Sequence, residues 1–338
     1  MAERKSMTTA EPTAPREVPP ARPWVKVNPD LLPGLVVLVC AVLLMFATKA
    51  LSRGSDLGRQ FSAILVSSIF LVVASFGQGL AILLGGIDLS IGVVIGLGAT
   101  MISVLTDGSN QALPWAVPAT LLSCTVIGLI NGIGIAFGNV PPFLMTLASG
   151  ITFFGVGLGF TSGTAQAPVA PMLQAVMSGQ WLGIPIPIYL IFAFLILASL
   201  FQNGTIEGRK LYAIASSPGA ARVMGLPIAG LSIAAYGVSA LCAAIAGLLL
   251  AGYSSAATLD MGNSLLLPTI AAVVIGGTRV TGGRGLYLGT FAGALFLSAL
   301  ETIITVLSLS QGLRDIVEGA IIVIALLLQR ERRAVFWH

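Results

Sequence analysis

The sequence predicts an all-α protein that crosses a membrane about ten times, and three observations support this fold class. Hydrophobic residues make up 56% of the 338 residues, and charged residues only 9%. A water-soluble protein carries about 25% charged residues, so this chain lacks the polar surface that water requires. The mean hydropathy of +0.97 agrees with a chain solvated by lipid. From Leu31 onward, apolar runs have the ~17–25 residues that a helix needs to cross the hydrocarbon layer.

The apolar runs follow one another along most of the chain. The predicted spans are 31–49, 61–84, 89–106, 112–137, 142–162, 186–202, 226–252, 265–277, 286–308 and 312–329. The span 265–277 is short, contains Pro268 and ends at two glycines, so we expect a broken or half-crossing helix there. Small residues recur four apart inside the spans, as at Gly128 and Gly132. This spacing lets helix backbones pack closely in lipid.

Charge distribution predicts the orientation of the chain. We expect a disordered cytoplasmic tail at 1–30, a transmembrane domain at 31–329 and a cytoplasmic tail at 330–338. Lys and Arg concentrate in cytoplasmic loops, and ten crossings place both termini on the same side. The predicted outer segments that carry no Lys or Arg are 107–111, 163–185 and 253–264. Segment 50–60 is the exception, because it holds Arg53 and Arg59 and yet is assigned to the outside.

The residue types argue against chemistry within this chain. The single histidine is His338, and Cys40, Cys124 and Cys242 each lie inside an apolar run, which favours neither disulfides nor a metal cluster. The sequence contains no Ser/His/Asp or Cys/His set and no phosphate-binding P-loop. We therefore predict no catalytic residue, no metal site and no cofactor in this chain, and any ATP must bind to another subunit.

One carboxylate stands between two strongly apolar runs. Asp88 lies in segment 85–92, which reads GGIDLSIG. A carboxylate in lipid needs water, a partner or a helix N-terminus, so Asp88 either caps a helix that starts at Leu89 or lies on a transport path. The Gly-Gly spacing of this segment recurs at Gly282-Gly283, which is a faint sign of internal duplication.

Three further polar residues fall within predicted spans. Glu301 lies deep in the span 286–308, where a charge is costly unless it is paired, protonated or facing water. A hydrogen-bonded structural role for Glu301 is the alternative to a functional one. Gln78 and Asn131 can hydrogen-bond a neighbouring helix or a hydroxylated solute. Together with Asp88, these residues are the candidates for a translocation path.

The largest polar loop inside the membrane domain is 203–225. Pro218 and Gly225 delimit a helix of less than two turns between them. On a cytoplasmic loop, the apolar side chains of this helix have no lipid to cover them, so we expect them to dock in the groove of a partner protein. These side chains are Ala221, Val223 and Met224.

Several strings of the sequence resemble the permeases of bacterial ribose-type ABC importers from about residue 60 to 329. They are LLGGIDLSIG at 83–92, GLING at 128–132 with Pro142-Phe143, and AAVVIGGT at 271–278 before GGRG at 282–285. The loop is similar to the permease segment that docks in the ATPase, whose pattern is Glu-Ala-Ala, three residues and Gly. Here Gly219 stands in place of that Glu. The resemblance implies that the ATPase-coupling residues are Gly219, Ala220, Ala221, Arg222 and Gly225.

The resemblance also implies a function and a set of partners. The chain would be a multi-pass permease of the bacterial inner membrane, translocating a monosaccharide or related polyol that a periplasmic binding protein delivers. It would pair with a second permease copy, as a homodimer or heterodimer, and with two cytoplasmic ATPase subunits that hold ATP and Mg²⁺. The alternatives are a branched-chain amino-acid type ABC permease, an ion-coupled secondary carrier with Asp88 or Glu301 as the titrating group, and an intramembrane enzyme.

Overall fold

Helices dominate the computed structural model, which describes residues 31–51, 56–161 and 167–328. The helices of this described part are α1 Leu31–Leu51, α2 Leu57–Leu83, α3 Ile91–Thr106, α4 Leu113–Ala136, α5 Pro142–Phe160, α6 Pro171–Ser178, α7 Ile186–Gly204, α8 Ile206–Ser216, α9 Pro218–Val223, α10 Ile228–Ser254, α11 Asn263–Ile275, α12 Tyr287–Val306 and α13 Gln311–Leu328. The predicted tails at 1–30 and 330–338 lie outside the described residues.

Ten of the helices in the described residues correspond to the ten predicted spans. Within the described residues, seven helices are long and apolar enough to cross a membrane, namely α1, α2, α4, α5, α7, α10 and α12. Two shorter apolar helices, α3 and α11, and the 18-residue α13 occupy the remaining three predicted spans. The 13 residues of α11, with Pro268 inside, agree with the short helix expected there. The predicted all-α membrane fold is confirmed.

In the part of the chain that the structure describes, four two-residue strands accompany the helices. Strand β1, Ala167–Pro168, pairs antiparallel with β4, Ala256–Ala257, and β2, Gln180–Trp181, pairs with β3, Ile184–Pro185. The turn between β2 and β3 uses two left-handed residues, Leu182 with φ 51° and Gly183 with φ 78°. Such a turn matches the twist of two antiparallel strands.

Helices α2 and α10 form the centre of the core, because most of their residues are buried against the surrounding helices. The predicted packing through small residues is confirmed between α4 and α10. A Cβ added to Gly128 would lie 2.2 Å from the carbonyl oxygen of Tyr236, and one added to Gly132 would lie 2.5 Å from the Cα of Ile233. Because any side chain would collide with the α10 backbone, these two glycines set how closely the helices approach.

One end of the bundle carries α8 and α9, and we call it the α8–α9 end. The C-terminal end of α2 and the loop 276–286 between α11 and α12 are also found here, since Gly283 N–H donates to the carbonyl oxygen of Leu83 at 3.0 Å and Ser216 Oγ donates to that of Gly283 at 3.4 Å. The start of α1 joins them, because a Cβ on Gly277 would lie 2.9 Å from Pro33. The strand pairs lie at the opposite end of the bundle, because β4 follows the C-terminal end of α10 and β3 precedes the N-terminal end of α7.

Candidate functional site

A buried polar network surrounds Asp88, in the loop between α2 and α3. The Asp88 side chain is 1% exposed. Its Oδ1 accepts hydrogen bonds from the Ser90 N–H at 3.0 Å and the Ser90 hydroxyl at 2.6 Å. Its Oδ2 accepts from the hydroxyl of Ser239 on α10 at 2.8 Å. All three donors are neutral, so hydrogen bonds rather than an opposite charge satisfy this carboxyl group.

The network extends to α4 and α5. Asn131 on α4 donates from Nδ2 to the Ser90 hydroxyl at 3.0 Å. On α5, the Thr146 hydroxyl accepts the Leu89 N–H at 3.0 Å and lies 3.2 Å from the carbonyl oxygen of Ile87. The loop is thereby tied to three helices by side-chain hydrogen bonds. A linked network of this kind fixes the position of a loop more firmly than isolated bonds do.

The structure corrects the predicted capping role of Asp88. Helix α3 begins at Ile91 and not at Leu89, and its N-cap residue is Ser90, which makes no side-chain capping bond. Asp88 accepts the Ser90 N–H two residues along, before the helix begins. Aspartate commonly makes this local turn, which competes with helix formation and so delays the helix start.

Two of the four predicted path residues come together, and two do not. Asp88 and Asn131 are joined through Ser90. Gln78 is fully buried on α2, and within the described residues neither of its amide atoms has a hydrogen-bond partner. Glu301 is half-buried, a turn and a half from the C-terminal end of α12, which is a less secluded position than its place in the predicted span suggests.

Sequence reasoning missed two residues on α10, namely Ser239, which bonds Asp88, and Tyr236, which packs against the loop and whose hydroxyl has no hydrogen-bond partner among the described residues. Tyr236 is buried, and its hydroxyl would lie 2.2 Å from a Cβ on Gly86, so this glycine leaves the space that the hydroxyl occupies. Both residues are polar groups in a long apolar run, which is the signal that could have identified them. Their partnership with a loop about 150 positions earlier leaves no mark on local sequence.

The predicted docking helix forms, with one correction. Helix α9 starts at Pro218, and the hydroxyl of the Ser217 N-cap accepts the Ala220 N–H at 3.4 Å. Ala221 is fully buried against its own chain, so it cannot enter a partner's groove as predicted. The apolar side chains left exposed are Val223, 90% exposed, and Met224, 64% exposed. One face of this short helix packs on the bundle and the other points outward.

The rest of the loop contains a helix that was not predicted. Thr205 caps the 11-residue α8 by accepting the Gly208 N–H at 3.0 Å. On its exposed surface Lys210 pairs with Glu207 at 2.8 Å. The Thr205 cap and the first-turn Glu207 are ordinary signals of a helix start. Among the described residues, no three His, Cys, Asp or Glu side chains come together as a metal site.

Comparison with known proteins identifies the family. The family model described as branched-chain amino acid transport system / permease component matches residues 60–326. The chain belongs to this permease family. The permease is 35% identical to the ribose import permease protein RbsC of Bacillus subtilis over 264 residues, which are 77% of this chain and 81% of that protein. Against the same-named protein of Escherichia coli K12, identity is 31% over 266 residues, 77% and 82% of the two chains.

A third relative carries a different name. The autoinducer 2 import system permease protein LsrD of Photorhabdus laumondii is 30% identical over 252 residues, 73% of the permease and 75% of that protein. No solved structure matches the permease significantly. Family membership confirms the resemblance found in the sequence.

Membership establishes the coarse function. The permease is the multi-pass membrane component of a bacterial ABC importer, and it is not itself an ATPase. Such a component works with a separate ATPase and a solute-binding protein. This assignment excludes the ion-coupled carrier and the intramembrane enzyme considered from sequence.

Proposed function

We propose that this permease imports a monosaccharide or related polyol delivered by a periplasmic binding protein, and that α9 couples it to the ATPase. The observation that carries the coupling role is the exposed apolar pair Val223 and Met224 at the tip of α9. The cargo class is proposed from the names of two relatives, both ribose import permeases, which align with about three quarters of the chain.

The docking surface consists of the outward side of α9 and the turn that follows it. Its proposed residues are Gly219, Ala220, Arg222, Val223, Met224 and Gly225, with Ala221 holding the helix to the bundle from beneath. A side chain as large and apolar as Val223, exposed in water, gains free energy when a partner's groove covers it. Arg222 adds a positive charge beside it, which suits an acidic rim on that groove.

Val223→Asp tests this docking surface. Val223→Asp would place an unpaired carboxylate in an apolar groove, which costs about 2 kcal/mol or more, so binding of the ATPase should weaken at least ~30-fold. The measurement is co-purification of the partner ABC ATPase with the permease. Leu182→Asp is the matched control, because Leu182 is 80% exposed at the opposite end of the bundle. Undiminished co-purification of Val223→Asp would contradict the proposed surface.

The cargo is tested separately from the docking. Proteoliposomes with the permease, its ATPase and its binding protein should take up D-ribose or another sugar or polyol from a panel of radiolabelled pentoses, hexoses and polyols. A branched-chain amino acid is the second candidate, because the family description names that cargo. ATP-driven leucine uptake without sugar uptake would overturn the sugar assignment.

The proposed orientation places both termini and the α8–α9 end in the cytoplasm. The loops 203–225 and 276–286 meet at that end, and they carry the basic residues Arg209, Lys210, Arg279 and Arg284. The start of α1 lies beside them at Gly277, which supports a cytoplasmic N-terminus. Basic residues collected at one end of a bundle favour the cytoplasmic side.

The proposed assembly pairs two permease copies, as a homodimer or a heterodimer, with solute passing between them. Helices α4 and α5 expose rows of large apolar side chains that lipid or a second copy would cover. Asp88 and Asn131 support the wall of such a path from inside the protomer, since both are buried. Gln78 and Glu301 are the other two proposed path residues. Native mass measurement in detergent tests the pairing.

A further inference from the structure

The loop 279–285 contacts both α8 and the C-terminal end of α2, two helices that also touch each other. On the α2 side, Gly283 N–H donates to the carbonyl oxygen of Leu83, the last residue of that helix, at 3.0 Å. A Cβ on Gly282 would lie 2.7 Å from the same oxygen and 2.9 Å from the nitrogen of Gly85. The two Gly-Gly pairs noticed in the sequence therefore touch each other, and at Gly282 there is no space for a methyl group.

The other side of the same loop contacts α8. The Tyr212 hydroxyl donates to the carbonyl oxygen of Gly285, and the Ser216 hydroxyl donates to that of Gly283 at 3.4 Å. A Cβ on Gly283 would lie 3.2 Å from the carbonyl oxygen of Ala215. At Gly283 the loop is thus one residue thick, with its N–H bonded to α2 and its carbonyl oxygen bonded to α8.

The backbone of loop 279–285 is suited to pass a movement of α8 on to α2. Gly282 and Gly283 both have a left-handed backbone, with φ of 81° and 86°, and Arg279 N–H donates to the carbonyl oxygen of Arg284 at 3.0 Å, which closes the loop on itself. A closed turn between two helices transmits a push, because packed elements do not deform continuously. Beyond Leu83, the chain enters the loop that holds Asp88.

We propose that the loop 279–285 transmits movement of α8 to the C-terminal end of α2, and through it to the Asp88 network. Tyr212 and Gly282 are the positioning residues of this transmission. Tyr212 bonds the loop to α8, and Gly282 allows the loop to contact α2. The inference rests on the proposed docking of α9 to the ATPase, because α9 follows α8 after one residue.

Amide hydrogen exchange of the permease–ATPase complex tests the transmission without knowledge of the cargo. In the wild type, trapping ATP on the complex should change the exchange rate of amides 84–90 by about fivefold, the equivalent of one hydrogen bond of ~1 kcal/mol. Gly282→Ala should abolish this response while the ATPase still co-purifies. Tyr212→Phe, which removes only the hydroxyl, should reduce the response in the same way.

Two matched controls isolate the contact from side effects. Gly183→Ala places a methyl group on an equally left-handed glycine, φ 78°, with no atom within 4 Å. Tyr189→Phe removes a tyrosine hydroxyl that donates to the carbonyl oxygen of Trp181 on the β2–β3 hairpin, at 3.0 Å. Both controls should retain the wild-type response.

Several results would overturn the inference. An ATP response that is absent in the wild type, or unchanged in Tyr212→Phe, would refute transmission through this loop. Loss of ATPase binding in Tyr212→Phe would make the loop part of the docking surface instead. If Gly282→Ala does not fold, Tyr212→Phe decides alone. A wild-type permease that never binds the ATPase would refute the proposed docking and this inference with it, and co-purification distinguishes that case.

Discussion

The hydroxyl of Ser239 on α10 binds Asp88 directly, and its removal measures what the buried network contributes. In Ser239→Ala, Asp88 Oδ2 loses the donor that lies 2.8 Å away, and both residues are buried too deeply for bulk water to replace it. A buried acceptor left without a partner costs about 1–3 kcal/mol. The neighbouring helix cannot move in to fill the space left by the hydroxyl, because the Gly77 backbone already packs against Ser239.

Thermal unfolding in detergent, followed by tryptophan fluorescence, provides the assay. About 1 kcal/mol shifts Tm by roughly 2–4 °C in a large single domain, so Ser239→Ala should melt several degrees below wild type. Ser103→Ala is the control, since Ser103 is equally buried and its hydroxyl donates only to the Ala99 carbonyl oxygen of its own helix, at 2.9 Å. Equal Tm values for the two variants would refute a stabilising role for the network.

Two further predictions follow from the same structure. Gly128→Ala forces a methyl group to within 2.2 Å of the Tyr236 carbonyl oxygen and should lower Tm by several degrees, since overpacking costs about 1–3 kcal/mol, whereas Gly155→Ala, with no atom within 4 Å, should not. A Gly128→Ala variant that melts like wild type would show that α4 and α10 separate at little cost. Glu301→Gln removes the titratable group but keeps the shape and hydrogen-bonding capacity of the side chain, so ATP-driven uptake in proteoliposomes should be retained, and loss of uptake would show that transport requires the carboxyl group itself.

The membrane helices could be predicted from sequence because lipid imposes a length on every crossing. Runs of apolar residues therefore marked the spans, and Pro268 with Gly276-Gly277 marked the short α11. Helix α8 was missed because it is polar, and the signals of its start were the Thr205 cap and Glu207 in the first turn. Long apolar runs identify helices that cross the membrane, and a polar helix such as α8 has no such run.

The candidate site could be predicted only in part, because its partners are distant in sequence. Asp88 and Asn131 were found as polar groups in apolar surroundings, but the hydroxyl that completes the network lies on Ser239. For Ala221, the sequence correctly indicated a need for burial but not the surface that buries it. Its apolar character predicted a partner's groove, and the structure supplies its own bundle instead. Sequence shows that a side chain needs cover, whereas only the fold shows what covers it.

The two loops at the α2 terminus should affect different quantities. The Asp88 loop is joined to its neighbours by side-chain hydrogen bonds between buried groups, so disruption at Ser239 removes stability from the ground state. The loop 279–285 contacts α2 and α8 through backbone atoms and glycines, next to exposed residues such as Thr281 and Arg284, so its disruption at Tyr212 removes a connection at lower cost in stability. We therefore expect Ser239→Ala to lower Tm more than Tyr212→Phe does, and Tyr212→Phe to impair the response to ATP more. If both variants lower Tm and the ATP response in the same proportion, the two loops act as one unit and transmission cannot be separated from folding.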